Sequence, residues 1–284
     1  MAISSYPSLP SNYSAPRRPQ LREGRGKILY DGPEPGTHVL FFKDEGGAGN
    51  SSLTLSGKGV LNNRISELLM TRLNDMGINT HFIRRLNMRE QLIRATEVLP
   101  FNLTIHNLAS GSFALRLGLE EGMSLPKPIP EFALRSRELN NPVVAVEHLA
   151  ALGWGRLEEI DDILLISQRV NDFLSGQFLA LNMRLISFTL EFGRYYVSDF
   201  TEPHILVIDE LSPDTCNLLD LTTGERLDQQ GVQNQPHMAR NIYQTVASRF
   251  GLLDLEAFKE KPIAASDRIF PKNIIFQTIV KKKI

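Results

Sequence analysis

The chain has 284 residues, 42% hydrophobic and 22% charged, with 31 basic against 32 acidic side chains and a formal net charge of −1. That balance removes the electrostatic case for nucleic acid or an anionic membrane as partner, and the length allows two lobes around a large core. One cysteine, Cys216, excludes an intrachain disulfide and a cysteine-rich zinc site, which suits a reducing compartment.

Residues 1–21 are rich in Ser and Pro, carry no acid, and lack the apolar block of a secretion signal, so they read as a flexible arm. No apolar run approaches the roughly 20 residues that cross a bilayer, so no membrane partner is expected and the cytoplasm is the expected location. Next comes a β-hairpin with strands at 28–30 and 38–42 around the turn DGPEPG, entered through the basic, glycine-rich Gly24-Arg25-Gly26-Lys27. A polar loop at 45–57 leads to a helix. There Leu61, Ile65, Leu68, Leu69, Leu73 and Met76 recur at helical spacing until Gly77. INTHFIRRL (78–86) and residues 98–105 read as strands with REQLIRATEV between them, and Pro100 falls near a join of two lobes.

Beyond that join, GSFALRLGLEEG (111–122) is a short helix and LPKPIPEF (125–132) an extended segment. Helices follow at 145–152 and 157–181, the second with Ile160, Ile163, Leu164, Val170, Phe173, Leu174 and Phe178 on its apolar face. Two apolar runs, 188–192 and His204–Ile208, read as antiparallel strands. NQPHMARNIYQTVASRFG (234–251) reads as a helix ending at Gly251, and a mixed tail closes on KKKI. The expected class is α+β: a sheet lobe over 22–100, a larger mixed lobe over 101–258, and a tail over 259–284.

The pair of strands around residue 200 carries the chemistry. Each run delivers an acid near its end, Glu191 from the first, Asp209 and Glu210 from the second. Such acids are often solvated rim residues. Brought side by side, they repel unless a cation sits between them, and Mg²⁺ with nucleotide phosphates is the usual resident. Cys216 reads either as a nucleophile or as a small half-buried residue beside a turn.

Seven segments in order resemble the SAICAR synthetase family, the phosphoribosylaminoimidazole-succinocarboxamide synthases. They are GRGKILY (24–30), FFKDEGGAGN (41–50), SGKGVLNNRIS (56–66), INTHFIRRL (78–86), IHNLASGSFALRLGLEEG (105–122), LEFG (190–193) and DELSPDTCNLLDLTTGERLD (209–228). The resemblance implies a two-lobed fold with an ATP cleft between the lobes, and a C–N ligase of purine biosynthesis. It activates the carboxylate of an aminoimidazole ribonucleotide with ATP, through an acyl phosphate, and L-aspartate's amine then displaces phosphate. The implied cofactors are ATP and Mg²⁺, and a homo-oligomer is the expected assembly. The resemblance also implies residue roles. Gly24, Arg25, Gly26 and Lys27 lie over the phosphates, Glu191 and Asp209 hold Mg²⁺, Asp44 and Lys27 stand near the reacting groups, and Lys58, His106, Ser112 and Asn217 contact substrate. Ser112 at a helix start reads equally as a cap.

This chain also departs from the family pattern. His106 and Asn217 stand where the family has arginines, Ser187 and Thr189 replace an acid and a lysine, Ala145-Val146 replaces an Asn-Glu pair, and Gln229 or Gln230 replaces a lysine. The nucleotide and metal half of the implied site is better preserved than the ribonucleotide half. That asymmetry leaves two alternatives beside the ligase: a paralogue that activates another carboxylate, or a non-catalytic nucleotide-binding protein.

Overall fold

The computed structural model describes residues 18–46, 53–197 and 202–253. The expected arm, up to residue 17, and the tail beyond 253 lie outside them. Strand β1 (Gln20–Glu23) takes in Gln20 and Leu21, which the sequence reading leaves in the arm; Gln20, Arg22 and Glu23 pair with β2 around an irregularity at Leu21, although each residue of the strand is exposed. The hairpin follows as β2 (Lys27–Asp31) and β3 (Thr37–Phe42). Two short strands, β4 (Glu45–Gly46) and β5 (Leu53–Thr54), pair within the expected polar loop.

Helix α1 (Lys58–Asp75) buries Ile65, Leu69, Met70 and Leu73 completely and stops before Gly77, whose φ of 73° suits glycine. Strands β6 (Phe82–Arg85) and β7 (Glu90–Arg94) then complete an antiparallel five-stranded sheet in the order β1-β2-β3-β7-β6. REQLIRATEV therefore supplies a central strand, with Gln91, Leu92 and Ile93 buried.

A second sheet begins with β8 (Glu97–Leu108), which runs straight through Pro100. Helix α2 (Gly111–Leu117) leads to β9 (Ser124–Leu134), a full strand despite Pro126, Pro128 and Pro130. Those prolines share one parity, and the short β10 (Val143–Val144) covers β9 only at Phe132 and Ala133. Their missing N–H groups thus fall on an open edge, where no ladder bond is lost. Helices α3 (Val146–Ala151) and α4 (Leu157–Ala180) follow.

Strand β11 (Met183–Tyr195) is the axis of the second sheet. It pairs with β8 on one side. On the other it takes β12 (His204–Ile208) along residues 191–195 and β13 (Cys216–Asp220) along 183–188, end to end. The 209–215 loop leaves the sheet where those two strands meet, opposite Glu191. Short helix α5 (Gln229–Asn234) precedes a 3₁₀ turn at Pro236–Met238 and α6 (Ala239–Arg249), so the helix read from 234 begins at 239. Backbone bonds join the two sheets at Val207: Val207 donates to the Asn79 carbonyl, His81 donates to the Val207 carbonyl, and Thr80 bridges Val207.

Candidate functional site

Beside that junction lies a cavity of about 270 Å³. One wall is the Gly24–Lys27 turn between β1 and β2, closed by a bond from the Gly24 amide to the Lys27 carbonyl at 2.8 Å. Leu29, Leu40, Ile93 and Val98 supply an apolar floor, and Glu191 and Asp209 line the same cavity. Apolar floor and charged rim together suit a flat ring carrying a polyanionic tail.

The acids meet because Glu191 is in register with Ile208, the residue before Asp209. Asp209 has φ of 71°, a left-handed conformation that a non-glycine residue adopts at some cost and that here turns the chain out of β12. His81 fixes it there, its Nε2–H donating to the Asp209 carbonyl at 2.8 Å. Burial pulls the His81 pKa down to about 4, so the ring is neutral and the donor is constant at neutral pH.

Each carboxylate has a cation beside it. Lys27 Nζ lies 2.5 Å from Asp209 Oδ1 and 2.8 Å from Glu210 Oε1, while Arg135 reaches Glu191 Oε2 at 2.8 Å. Burial opposes charge on Lys27, but Asp209 and Glu210 outweigh it and raise its pKa. Burial also opposes charge on Asp209, and Lys27 overcomes it and holds that carboxyl low. Glu191 goes the other way. Burial first, and the Asp209 charge second, push it up to about 7 against Arg135 and Lys27. Glu210, buried and accepting from the Ser212 hydroxyl at 2.7 Å, is also raised, chiefly by burial.

Two hard oxygen ligands whose charges oppose each other form a donor set that Mg²⁺ fits when phosphates and water complete its shell. Among the described residues no cluster of three or more His, Cys, Asp or Glu side chains is arranged to hold a metal. An ion here would therefore need oxygens from a ligand.

The other expected site residues stand outside this cavity. Asp44 is gripped by both ends of the Arg89 guanidinium at 2.8 Å and accepts from the Gly57 and Gly59 amides, which makes it the cap of α1. Lys58 opens that helix with its ammonium turned inward, buried against Asp214 and donating to the Glu45 carbonyl at 3.0 Å. Ser112 is exposed in the first turn of α2 and does not cap it. Position 110 is the cap, and Glu121 accepts from the Ser110 hydroxyl at 2.6 Å and the Gly111 amide at 2.8 Å. Cys216 is fully buried, and burial raises its thiol to about 12, which settles it as a packed residue rather than a nucleophile.

His106 and Asn217 lie together in one row across the second sheet. His106 on β8 and Asn217 on β13 each pair with Ser187 on β11 between them, and Asn217 donates to the Ser187 hydroxyl at 2.8 Å. His106 stacks on Phe113 with centroids 4.0 Å apart; both its nitrogens are buried without a hydrogen-bond partner. Thr189, two residues along, meets Thr104 at 2.9 Å. The row lies about 14 Å from Glu191 along β11, at about 3.4 Å per residue.

Arg135, His81 and Asp214 escape sequence reasoning. Arg135 follows a proline-rich stretch without periodicity, His81 acts through a backbone carbonyl, and Asp214 gains its role only when α1 and α6 pack around it.

Comparison with known proteins identifies the family and the fold. A model of the SAICAR synthetase family matches residues 20–250. The phosphoribosylaminoimidazole-succinocarboxamide synthase of Novosphingobium aromaticivorans is 49% identical over 240 residues, 84% of this chain and 91% of that protein. That of Hyphomonas neptunium is 46% identical over 239 residues, 84% of this chain and 92% of its own length. Among solved structures, the synthase from Ehrlichia chaffeensis superposes with a TM-score of 0.79 at 34% identity, covering 83% of this chain and 99% of that one. A SAICAR synthetase in complex with ADP gives 0.74 at 30% identity, over 80% and 96% of the two chains. This chain belongs to the SAICAR synthetase family.

Proposed function

We propose that this chain is an ATP-dependent ligase that joins L-aspartate to the carboxylate of carboxyaminoimidazole ribonucleotide, giving SAICAR, ADP and phosphate in de novo purine biosynthesis. The observation that carries the site assignment is the convergence of the Gly24–Lys27 turn, Glu191 and Asp209 on one cavity with an apolar floor.

In this reading the Gly24 amide closes the turn on the Lys27 carbonyl, the backbone amides of Arg25 and Gly26 face the phosphates, and Lys27 neutralises the γ-phosphoryl group as it moves to the acid. Glu191 and Asp209 would hold Mg²⁺, which would supply neutralisation of phosphate charge. Arg135, already at the rim, gives a second fixed cation. The acid oxygen attacks the terminal phosphorus, ADP leaves, and the aspartate amine then displaces phosphate and loses a proton. Asp44, locked by Arg89 and two amides, positions the start of α1 instead of exchanging protons. The polar row from Thr189 and Thr104 to His106, Ser187 and Asn217 is the wall on which we place the ribonucleotide. No described helix is long and apolar enough to cross a membrane, and we assign the enzyme to the cytoplasm as a homo-oligomer.

An assay of ADP release tests the function: release requires both the aminoimidazole acid and aspartate, and none above background at high enzyme concentration overturns it. A second reading, a ligase for a different acid, is favoured by one observation. Three of the departures from the family pattern share one register row. ATP turnover with another carboxylic acid in place of the ribonucleotide would select it.

A further inference from the structure

The buried pair under the glycine-rich turn is held from behind by a residue none of the chemistry above uses. Lys58 and Asp214 form an ion pair almost wholly removed from water. A side chain built on Gly26 would come within 3.7 Å of both the Asp214 carboxylate and the Lys58 ammonium, so the pair lies directly beneath the turn that lines the cavity. Burying two charges is tolerable only when their remaining hydrogen-bond capacity is met. Glu45 meets part of it, accepting from Lys58 through its carbonyl at 3.0 Å.

Tyr243, on α6 and 1% exposed, meets the rest. Its hydroxyl donates to Asp214 Oδ1 at 2.5 Å while the Lys58 ammonium sits 5.6 Å from its ring centroid. One side chain thus touches both members of the pair. The connection continues to the cavity. The Asp214 amide donates to Ser212 Oγ at 3.0 Å, Ser212 donates to Glu210, and Glu210 pairs with Lys27.

We propose that Tyr243 is a positioning residue for nucleotide binding, which holds Asp214 and Lys58 in place beneath Gly26 and so sets the turn that faces the phosphates. The inference rests on reading the cavity as the nucleotide pocket, not on the identity of the acid. Removing the hydroxyl leaves Asp214 Oδ1 buried without its donor; the carboxylate must turn to recover one, and Lys58 and the backbone above it shift with it. A core tyrosine with no such role would affect stability alone.

The experiment compares the full chain with Tyr243→Phe, measuring Mg-ADP affinity by calorimetry, then kcat and each KM by ADP release. Loss of one hydrogen bond to a charged group predicts affinity for Mg-ADP weaker by about tenfold. The KM for aspartate stays within about twofold, since uniform loss of fold is not the cause. Parent affinity for Mg-ADP in Tyr243→Phe, whatever its melting temperature, overturns the proposal. Should that variant fail to fold, Lys58→Met with Asp214→Leu and Tyr243→Phe replaces the whole buried cluster by apolar groups, a change such clusters commonly tolerate. Weak Mg-ADP binding by the folded triple variant supports the proposal, and parent affinity overturns it. A parent that binds Mg-ADP but turns over no acid would sink the ligase assignment and leave this test standing.

Discussion

Glu191 and Asp209 sit one register step apart on adjacent antiparallel strands, and the charge on Asp209 helps to raise the pKa of Glu191. The two acids nevertheless differ in state, because Lys27 holds Asp209 ionised while burial favours the proton on Glu191.

Asp209→Asn is expected to abolish turnover without unfolding the protein. The amide keeps the shape and its place at the end of β12, His81 still meets the backbone carbonyl, and Lys27 retains Glu210. Loss of a charge aimed at the reacting phosphates is expected to lower kcat by at least about 100-fold. Steady-state ADP release, with circular dichroism as the check on folding, measures it. Parent kcat would remove Asp209 from the chemistry.

Glu191 predicts a pH effect on the ligand-free protein. Its folded pKa of about 7 is raised above the ordinary glutamate value of 4.5, so the folded state holds its proton more tightly than the unfolded chain. Its contribution to stability is full below 4.5 and is lost as pH rises through about 7, on the order of 3 kcal/mol across that window. Glu191→Gln carries no titrating proton, so the difference in melting temperature between parent and variant should change across pH 5–7. A constant difference would show that Glu191 ionises normally.

Much of this arrangement is legible in the sequence. The α1 and α4 stripes appear as apolar spacing, since one face of each packs on a sheet and the other meets solvent. The β11–β12 pairing shows in two apolar runs that end in acids. Other parts are not legible, for physical reasons. REQLIRATEV reads as a connection because its charged ends mask the short buried run from Gln91 to Ile93. Strand β9 hides behind prolines that only an edge position permits. The resemblance implies that Asp44 stands near the reacting groups and that Lys58 contacts substrate, whereas Arg89 engages Asp44 and Asp214 engages Lys58, and those partners are distant in sequence.

Asp44→Ala tests the capping role. It removes the acceptor for Arg89 and for two amides at the positive end of α1, at an expected cost of about 3 kcal/mol in unfolding free energy. Burial opposes ionisation of Asp44, but the Arg89 bond and the two amides prevail and hold its pKa low. Its stabilising contribution is therefore present above the ordinary carboxylate range and lost as pH falls through the depressed value. Urea unfolding at neutral pH measures the cost, and a midpoint equal to the parent's would show that the cap is dispensable.

The row of His106, Ser187 and Asn217 leads to the last prediction. A buried imidazole with neither nitrogen paired is unfavourable by about 1–3 kcal/mol for each orphaned group. Glu131 is 3.7 Å from His106 Nε2, too far for a hydrogen bond, and is engaged by Arg116. If the ribonucleotide lies on this row, His106→Arg with Asn217→Arg gives its anionic groups two fixed cations. The KM for the aminoimidazole acid should then fall by about tenfold, the gain from one charged hydrogen bond, while the KM for ATP stays within about twofold because the row is about 14 Å from Glu191. Michaelis curves for each substrate, the other two saturating, measure both values. A KM for the acid unchanged in this double variant would place that substrate elsewhere, and a rise would mean that the row is shaped for a less highly charged acid.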